Sequence, residues 1–346
     1  IADSKQQGSK KYPGLNDKSD ISKSAINKSV VKTPPVKVMR PAENTLMIDF
    51  CDVQLGDTLL RDTHVGTASR AVFTHYGFNR NPWNHQMQFK DHIVARDTFP
   101  EGSGFTATYH FNIENSTNYK KFRAVIEQGN LWKQITVNGK PIKPVAKAWW
   151  LDRSFAVLQI GDYLKAGNNI LSVTVNPMRV YAEIEPVYIL GDFNLQTADK
   201  GWQIVPPKPL QPGSWKDQGM PLYGAGISYV KKFNLDKTNE RFELQLGEWK
   251  GTVAAVKING KPAGIIFSGP NTLDVTKYMK KGNNLVEVKV IGSLKNLLGP
   301  HHNSPKPGMV GPHHWWNIKT YPPGKDYDTY DYGLMEDFEL LQYTNK

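Results

Sequence analysis

An internal repeat constrains this chain more than any other feature. Phe111-Asn112-Ile113 recurs as Phe233-Asn234-Leu235, and Glu127 recurs as Glu248. Val137-Asn138-Gly139-Lys140-Pro141 recurs as Ile258-Asn259-Gly260-Lys261-Pro262, and Lys165-Ala166-Gly167-Asn168-Asn169 as Lys280-Lys281-Gly282-Asn283-Asn284. The offsets are 122, 121, 121 and 115 residues, which leaves the later copy six residues shorter just before its last block. Self-similarity at near-constant spacing means one structural unit built twice. The natural boundary lies near Gly191, in Tyr188-Ile189-Leu190-Gly191-Asp192-Phe193, ahead of the proline-rich stretch 205–213. The expected organisation is a leading segment 1–42, a first unit 43–190 and a second unit 191–346.

Within each copy the hydrophobic pattern has period two. Phe122, Ala124 and Ile126 alternate with Arg123 and Val125, Leu171, Val173 and Val175 with Ser172 and Thr174, and Val286, Val288 and Val290 with Glu287 and Lys289. Such alternation puts apolar side chains on one face of a half-buried antiparallel strand. Asn138-Gly139, Asn259-Gly260 and Gly167-Asn168-Asn169 supply the positive φ that tight turns need. Each copy then crosses through an aspartate, Asp152 or Asp274, into a capping segment (160–164 and 275–279) before the long core strand. Long runs of period 3.6 are nearly absent. The predicted fold is all-β, two tandem jelly-roll β-sandwiches behind an irregular basic arm.

Charge sharpens that division. The net charge is +11, but residues 1–42 carry nine Lys/Arg against three Asp, so more than half of the excess sits in a Ser/Lys-rich segment poor in aromatics. That is the composition of a linker or surface-wrapping arm. It argues against a nucleic-acid partner, whose binders interleave basic and aromatic residues on one folded face. No window approaches the apolar length of a membrane span. The lone Cys51 excludes an internal disulfide framework and a cysteine-based zinc site. The chain opens on Ile1 without the pattern of a signal peptide, and the expectation is a fragment or processed chain.

Against this background the residues resemble a known family. Glu127 to Val175, and more fully Trp215 to His302, look like the galactose-binding-like jelly-roll domains, of "sugar-binding" type, in large bacterial glycoside hydrolases of family 2. The run Gln218-Gly219-Met220-Pro221-Leu222-Tyr223-Gly224-Ala225-Gly226-Ile227-Ser228-Tyr229, the Glu248-Trp249 to Asn259-Gly260-Lys261 pair and Ser293-Leu294-Lys295-Asn296-Leu297-Leu298-Gly299-Pro300-His301-His302 are similar to the C-terminal region of family 106 α-L-rhamnosidase-like enzymes. Asn44 to Asp49 and the Gly191-Asp192-Phe193 junction fit that region too. The resemblance implies an ancillary module of a secreted or periplasmic glycosidase acting on plant-type polysaccharide. Its partners would be a glycan and a catalytic barrel upstream in the same parent protein. The strand–helix alternation of a barrel is missing from the sequence.

Two places carry sugar-binding chemistry. Between 299 and 333 the period vanishes while Pro, Gly, His, Trp and Tyr accumulate, and long irregular loops of this kind are commonly functional. His301, His302, His313, His314, Trp315, Trp316 and Asn317 offer aromatic faces and planar polar groups, the pair of features that recognises carbohydrate. In the first copy, Trp149 and Trp150 are adjacent on a strand, so one faces the core and the other solvent, with Asp152 beside them. For both places the competing reading is packing, on the sandwich or on a neighbouring domain, which also leaves a structural or interaction module without glycan contact as an alternative function.

Other chemistry is weaker. The paired histidines lack the spacing of zinc ligands. Asp326, Asp328, Asp331, Glu336 and Asp337 offer oxygen ligands to a structural calcium, although Tyr330 stands where an EF-hand loop needs glycine, so a solvated acidic turn competes. Glu127 and Glu248 fall in different copies, which argues against the separation of about 5–10 Å that a glycosidase carboxylate pair requires. No catalytic machinery and no phosphate-cradling loop is recognisable.

Overall fold

The computed structural model describes residues 26–84, 87–299 and 320–345. Each copy of the repeat is a β-sandwich. In the first, one sheet runs in spatial order Trp149–Trp150, Asp152–Gln159, Arg123–Glu127, Val187–Gly191, Asn44–Ile48. The facing sheet runs Asn194–Thr197, Trp202–Val205, Phe105–Ile113, Gly167–Val175, Gln134–Val137, Lys140–Pro141, and the hairpin Phe50–Leu55 with Thr58–His64 attaches to Phe105–Ile113. In the second sandwich the sheets are Lys37–Met39, Gly226–Leu235, Gly282–Ile291, Val253–Ile258, Lys261–Ile266, and Ile26–Val30, Phe338–Asn345, Arg241–Leu246, Thr272–Asp274.

Strand register confirms the repeat at its first, third and last blocks. Phe111 pairs with Asn169 as Phe233 pairs with Asn284, and Val137 pairs with Leu171 as Ile258 pairs with Val286. Both Asn-Gly turns have positive φ at both residues, +49° and +77° for Asn138-Gly139 and +52° and +79° for Asn259-Gly260. This twist matches the strands that flank a two-residue hairpin. Alternation then builds two cores: Tyr109, Phe111, Ile126, Val137 and Leu171 are buried in one, and Phe233, Leu244, Ile258, Val286 and Val288 in the other.

Three expectations need correction. The leading segment 1–42 is not all arm: from Ile26 it adds an edge strand to each sheet of the second sandwich, Ile26–Val30 against Phe338–Asn345 and Lys37–Met39 against Gly226–Leu235. The sheets also cross the expected boundary at 190/191, because Asn194–Thr197 and Trp202–Val205 extend a sheet of the first sandwich. And Asp152 is not the counterpart of Asp274. Asp274 pairs with Glu243 in the position where Gln159 pairs with Arg123, so Asp152 lies seven residues ahead of the matching place. What the two aspartates share is local: the Asp152 carboxylate accepts from Ser154 N at 2.8 Å, and that of Asp274 from Thr276 N at 3.0 Å.

Among the described residues three α-helices interrupt the β pattern, Val65–His75, Lys90–Val94 and Lys295–Leu298, and the first is the longest. Val65–His75 buries Val65, Ala68, Ser69, Val72 and Phe73, the spacing of a single helical face, and the His64 imidazole accepts from Gly66 N at its start. Even the eleven residues of Val65–His75 are too few for the 3.6 period to stand out in a sequence dominated by alternation.

Candidate functional site

His301, His302, His313, His314, Trp315, Trp316 and Asn317 lie outside the described residues. The described end of the same segment, from residue 320 to 333, packs on both sandwiches, Tyr321 and Tyr327 against the first and Tyr332 in the core of the second. The Tyr321 ring stacks on Phe50 with centroids 4.2 Å apart, and the buried Tyr327 hydroxyl donates to Asp49 at 2.8 Å. Burial and the Asp49 charge together push both tyrosine hydroxyls far above their ordinary range.

The acidic residues proposed for calcium are dispersed. Asp331 accepts from Ser214 and lies 3.2 Å from Lys216 and 3.6 Å from Lys250, while Asp337 pairs with the buried Lys231 at 2.5 Å. Asp328 lies 3.9 Å from Lys295, and Glu336 accepts from Glu248 N at 3.1 Å. Among the described residues no three His, Cys, Asp or Glu side chains gather as a metal site.

The two tryptophans diverge, and each enters a different cavity. Trp149 pairs with Ala156 and Trp150 with Asp152, and Leu151 between them takes a left-handed φ of +57° to close the turn. Trp150 is half-buried and packs its ring against Phe155 and Tyr188 at centroid distances of 6.4 and 5.3 Å. Trp149 faces outward with 55% of its surface exposed. It walls a cavity of about 780 Å³ together with Gln128, Asn130, Lys147, Arg153 and Ser154. The floor requires Gly129, because a Cβ there would lie 2.3 Å from the Ala156 Cβ. The loop that closes the far side is anchored by Val145 N donating to Val157 O at 2.8 Å, and Lys147 holds it with a φ of +61°. A second cavity of about 650 Å³ shares Gly129, Asn130 and Pro144 and adds Trp132, Lys133 and Lys143.

This combination of a flat exposed aromatic face, a concave wall and several polar groups can stack on a sugar ring and bond its hydroxyls. Asp152 stands at the edge, not in the wall. It is fully exposed, and its acceptance of the Ser154 N–H and hydroxyl holds its pKa below the usual carboxylate range. Of the predicted residues in the described part, Trp149 is the one that lines this cavity. Lys147, Arg153, Gln128 and Asn130 were missed. For Lys147 and Arg153 a signal was present: the six residues by which the first copy exceeds the second fall between Lys140 and Lys165, and the register confines them to the stretch before Val157, the part that builds the wall.

Trp150 instead lines a cleft of about 380 Å³ between the sandwiches, with Leu151, Leu190, Tyr223, Leu294 and Leu297. Arg123 forms an ion pair with Glu43 at its edge. Nearby, the buried Asn44 carboxamide donates to Phe193 O at 2.9 Å and Gly219 O at 3.0 Å, tying the two units. Glu127 and Glu248 are on separate sandwiches. Glu127 is half-buried, and burial followed by the Asp152 charge raises its pKa.

No family model matches the chain. Over 144 residues, 40% of this chain and 12% of the other, it is 37% identical to a protein of Formosa agariphila described as "Putative beta-glucuronidase". Among solved structures it is similar to a rhamnosidase from Novosphingobium sp. PP1Y, with 18% identity and a TM-score of 0.29 over 70% of this chain and 23% of that one. It is also similar to a β-D-mannosidase from Dictyoglomus thermophilum, with 12% identity and a TM-score of 0.30 over 75% of this chain and 32% of that one. The chain thus spans about an eighth of the curated relative and at most a third of these two solved chains.

Proposed function

We propose that this chain is an accessory β-sandwich pair of a glycoside hydrolase and that its first sandwich holds glycan against Trp149. The observation that carries the reading is the exposed Trp149 face on the wall of the 780 Å³ cavity. The 37% identity with a stretch of a protein described as a β-glucuronidase supports the glycosidase context. On this reading the parent enzyme carries its catalytic barrel elsewhere, is of α-L-rhamnosidase type, acts on plant-type polysaccharide and works outside the cytoplasm. The module supplies binding and no bond cleavage.

Calorimetry of the chain with a panel of plant-polysaccharide oligosaccharides tests this. Trp149→Ala weakens binding on the order of tenfold, the value of about 1–3 kcal/mol for a ring-stacking contact, and leaves the melting temperature unchanged because the ring is outside the core. Unchanged affinity overturns the assignment.

A second reading, that the pair serves only to pack domains together, draws on another face. Ile265 and Phe267, 58% and 69% exposed, lie at the edge strand Lys261–Ile266, where an apolar neighbour would cover them. A panel with no binding at all favours that reading.

A further inference from the structure

The Trp149 cavity is lined by cations and by no carboxylate. Lys147 and Arg153 belong to its wall, and the adjoining cavity that shares Gly129, Asn130 and Pro144 adds Lys133 and Lys143. All four side chains are exposed, and among the described residues none forms an ion pair. The corresponding end of the second sandwich is different: Lys250 is held by Glu248 at 3.7 Å and Asp331 at 3.6 Å.

We propose that the joined cavities bind an anionic glycan, one whose sugars carry carboxylate or sulfate groups, with a ring stacked on Trp149 and the anion reached by Lys147 and Arg153. This rests on the glycan-binding reading above and specifies its ligand class. Three observations converge on it. Most of the cationic wall comes from the stretch in which the first copy is six residues longer, so it is an addition to the repeated unit and not part of its scaffold. Arg and Lys supply donors only, and Arg in particular matches the paired oxygens of a carboxylate or sulfate. Two carboxylates lie close by, Asp152 and Glu127, and neither enters the cavity wall. Asp152 is already engaged by the Ser154 N–H and hydroxyl. Glu127 is half-buried beneath the turn, its backbone carbonyl accepting from the Trp132 indole at 2.9 Å.

The test is calorimetry of the full chain with three probes of equal length: an oligogalacturonate, a sulfated galactan oligosaccharide and a neutral xylo-oligosaccharide. The expected result is that an anionic probe binds on the order of tenfold tighter than the neutral one at low salt, about the value of one charge-assisted hydrogen bond. That margin shrinks as salt rises. Whichever of the two anionic probes binds tighter tells carboxylate from sulfate. The double variant Lys147→Gln with Arg153→Gln weakens the anionic probes more than the neutral one and so removes the preference, whereas Trp149→Ala weakens all three. Both variants alter exposed side chains, and an unchanged melting temperature confirms that they fold. Equal affinity for charged and neutral probes, or a preference that survives the double variant, overturns the anionic assignment while glycan binding stands. Binding of none of the three overturns both.

Discussion

At the scale of single residues, neighbouring side chains on one strand acquire unrelated roles where the pleat and a register shift between Trp149 and Trp150 combine. Trp149 and Trp150 differ by one position, and one walls an open cavity while the other faces the cleft between sandwiches. A different residue, Glu183, sits in a perturbed environment with a direct consequence for stability. It is half-buried in the segment that links Gly167–Val175 to Val187–Gly191, accepts from the Asn81 carboxamide at 2.6 Å, and has Glu185 and Glu127 as acidic neighbours. Burial, opposed by the Asn81 hydrogen bond and reinforced by the Glu127 charge, pushes its pKa up from 4.5 to about 7. Between those values the folded chain retains a proton that the unfolded chain releases, so Glu183 costs stability progressively as pH rises through that window, and the loss is complete above about 7. Glu183→Gln keeps the acceptor for Asn81 and removes the charge. Thermal melts from pH 4.5 to 8 should show the variant gaining on the parent as pH rises; parallel curves would contradict the assignment. Cys51 is the opposite case: burial, followed by the charges of Asp52 and Asp49, pushes its thiol far up, which makes it inert as a nucleophile.

At the scale of elements, the repeat is held by one hydrogen-bonded device used twice. In the first copy the Asn138 carboxamide donates to Tyr163 O and Asn169 Oδ1 at 2.9 and 2.8 Å and accepts from Ile170 N at 3.0 Å. In the second, Asn259 donates to Tyr278 O and Asn284 Oδ1 at 3.3 and 3.0 Å and accepts from Leu285 N at 3.0 Å. Asn169 and Asn284 are fully buried and close their own turns, bonding Lys165 and Gly167 in one copy and Lys280 and Gly282 in the other. Asn169→Ala and Asn284→Ala each strip a buried turn of its donors and acceptors, and should each cost about 2–3 kcal/mol in denaturant unfolding. Effects that differ severalfold between the two would show that the device is not equivalent in the copies.

These motifs explain what could be read in advance. Asn-Gly and Gly-Asn-Asn encode backbone geometry directly, and a half-buried strand writes its face into the sequence as alternation. The shape of the cavity was not legible because its wall, 142–148, is an irregular loop set by two strand-to-loop hydrogen bonds, Ile142 N to Ile135 O and Val145 N to Val157 O, one left-handed lysine and the absence of a side chain at Gly129. Ile26–Val30 and Lys37–Met39 were hidden for another reason. Edge strands bury little, so their polar composition reads as a linker.

At the scale of the whole molecule, those two short strands make the leading segment structural. Ile26–Val30 lies along Phe338–Asn345 over five residue pairs, and Lys37–Met39 along Gly226–Leu235 over three. Removing residues 1–42 therefore exposes an edge in both sheets of the second sandwich, whereas removing 1–25 leaves both strands in place. The longer truncation should lower the melting temperature by several degrees and promote aggregation through the bared edges, while the shorter one should match the parent. Equal behaviour of the two truncations would show that the strands add nothing to stability. Buried Lys231 fits the same scheme. It sits at an inward position of Gly226–Leu235, reaching Phe338 O at 2.8 Å and Asp337 at 2.5 Å, and so ties the second sandwich's two sheets together near the opposite end of the chain.

The pairing of Ile26 with Asn345 also sets how the molecule responds to tension. A pull on those two residues loads a single ladder from its end, bond after bond, and not all bonds at once. The first sandwich lies between them in the chain but outside that line of force, so it is a loop shielded by its neighbour. While the ladder holds, the Trp149 cavity keeps its shape in a chain stretched between two anchors.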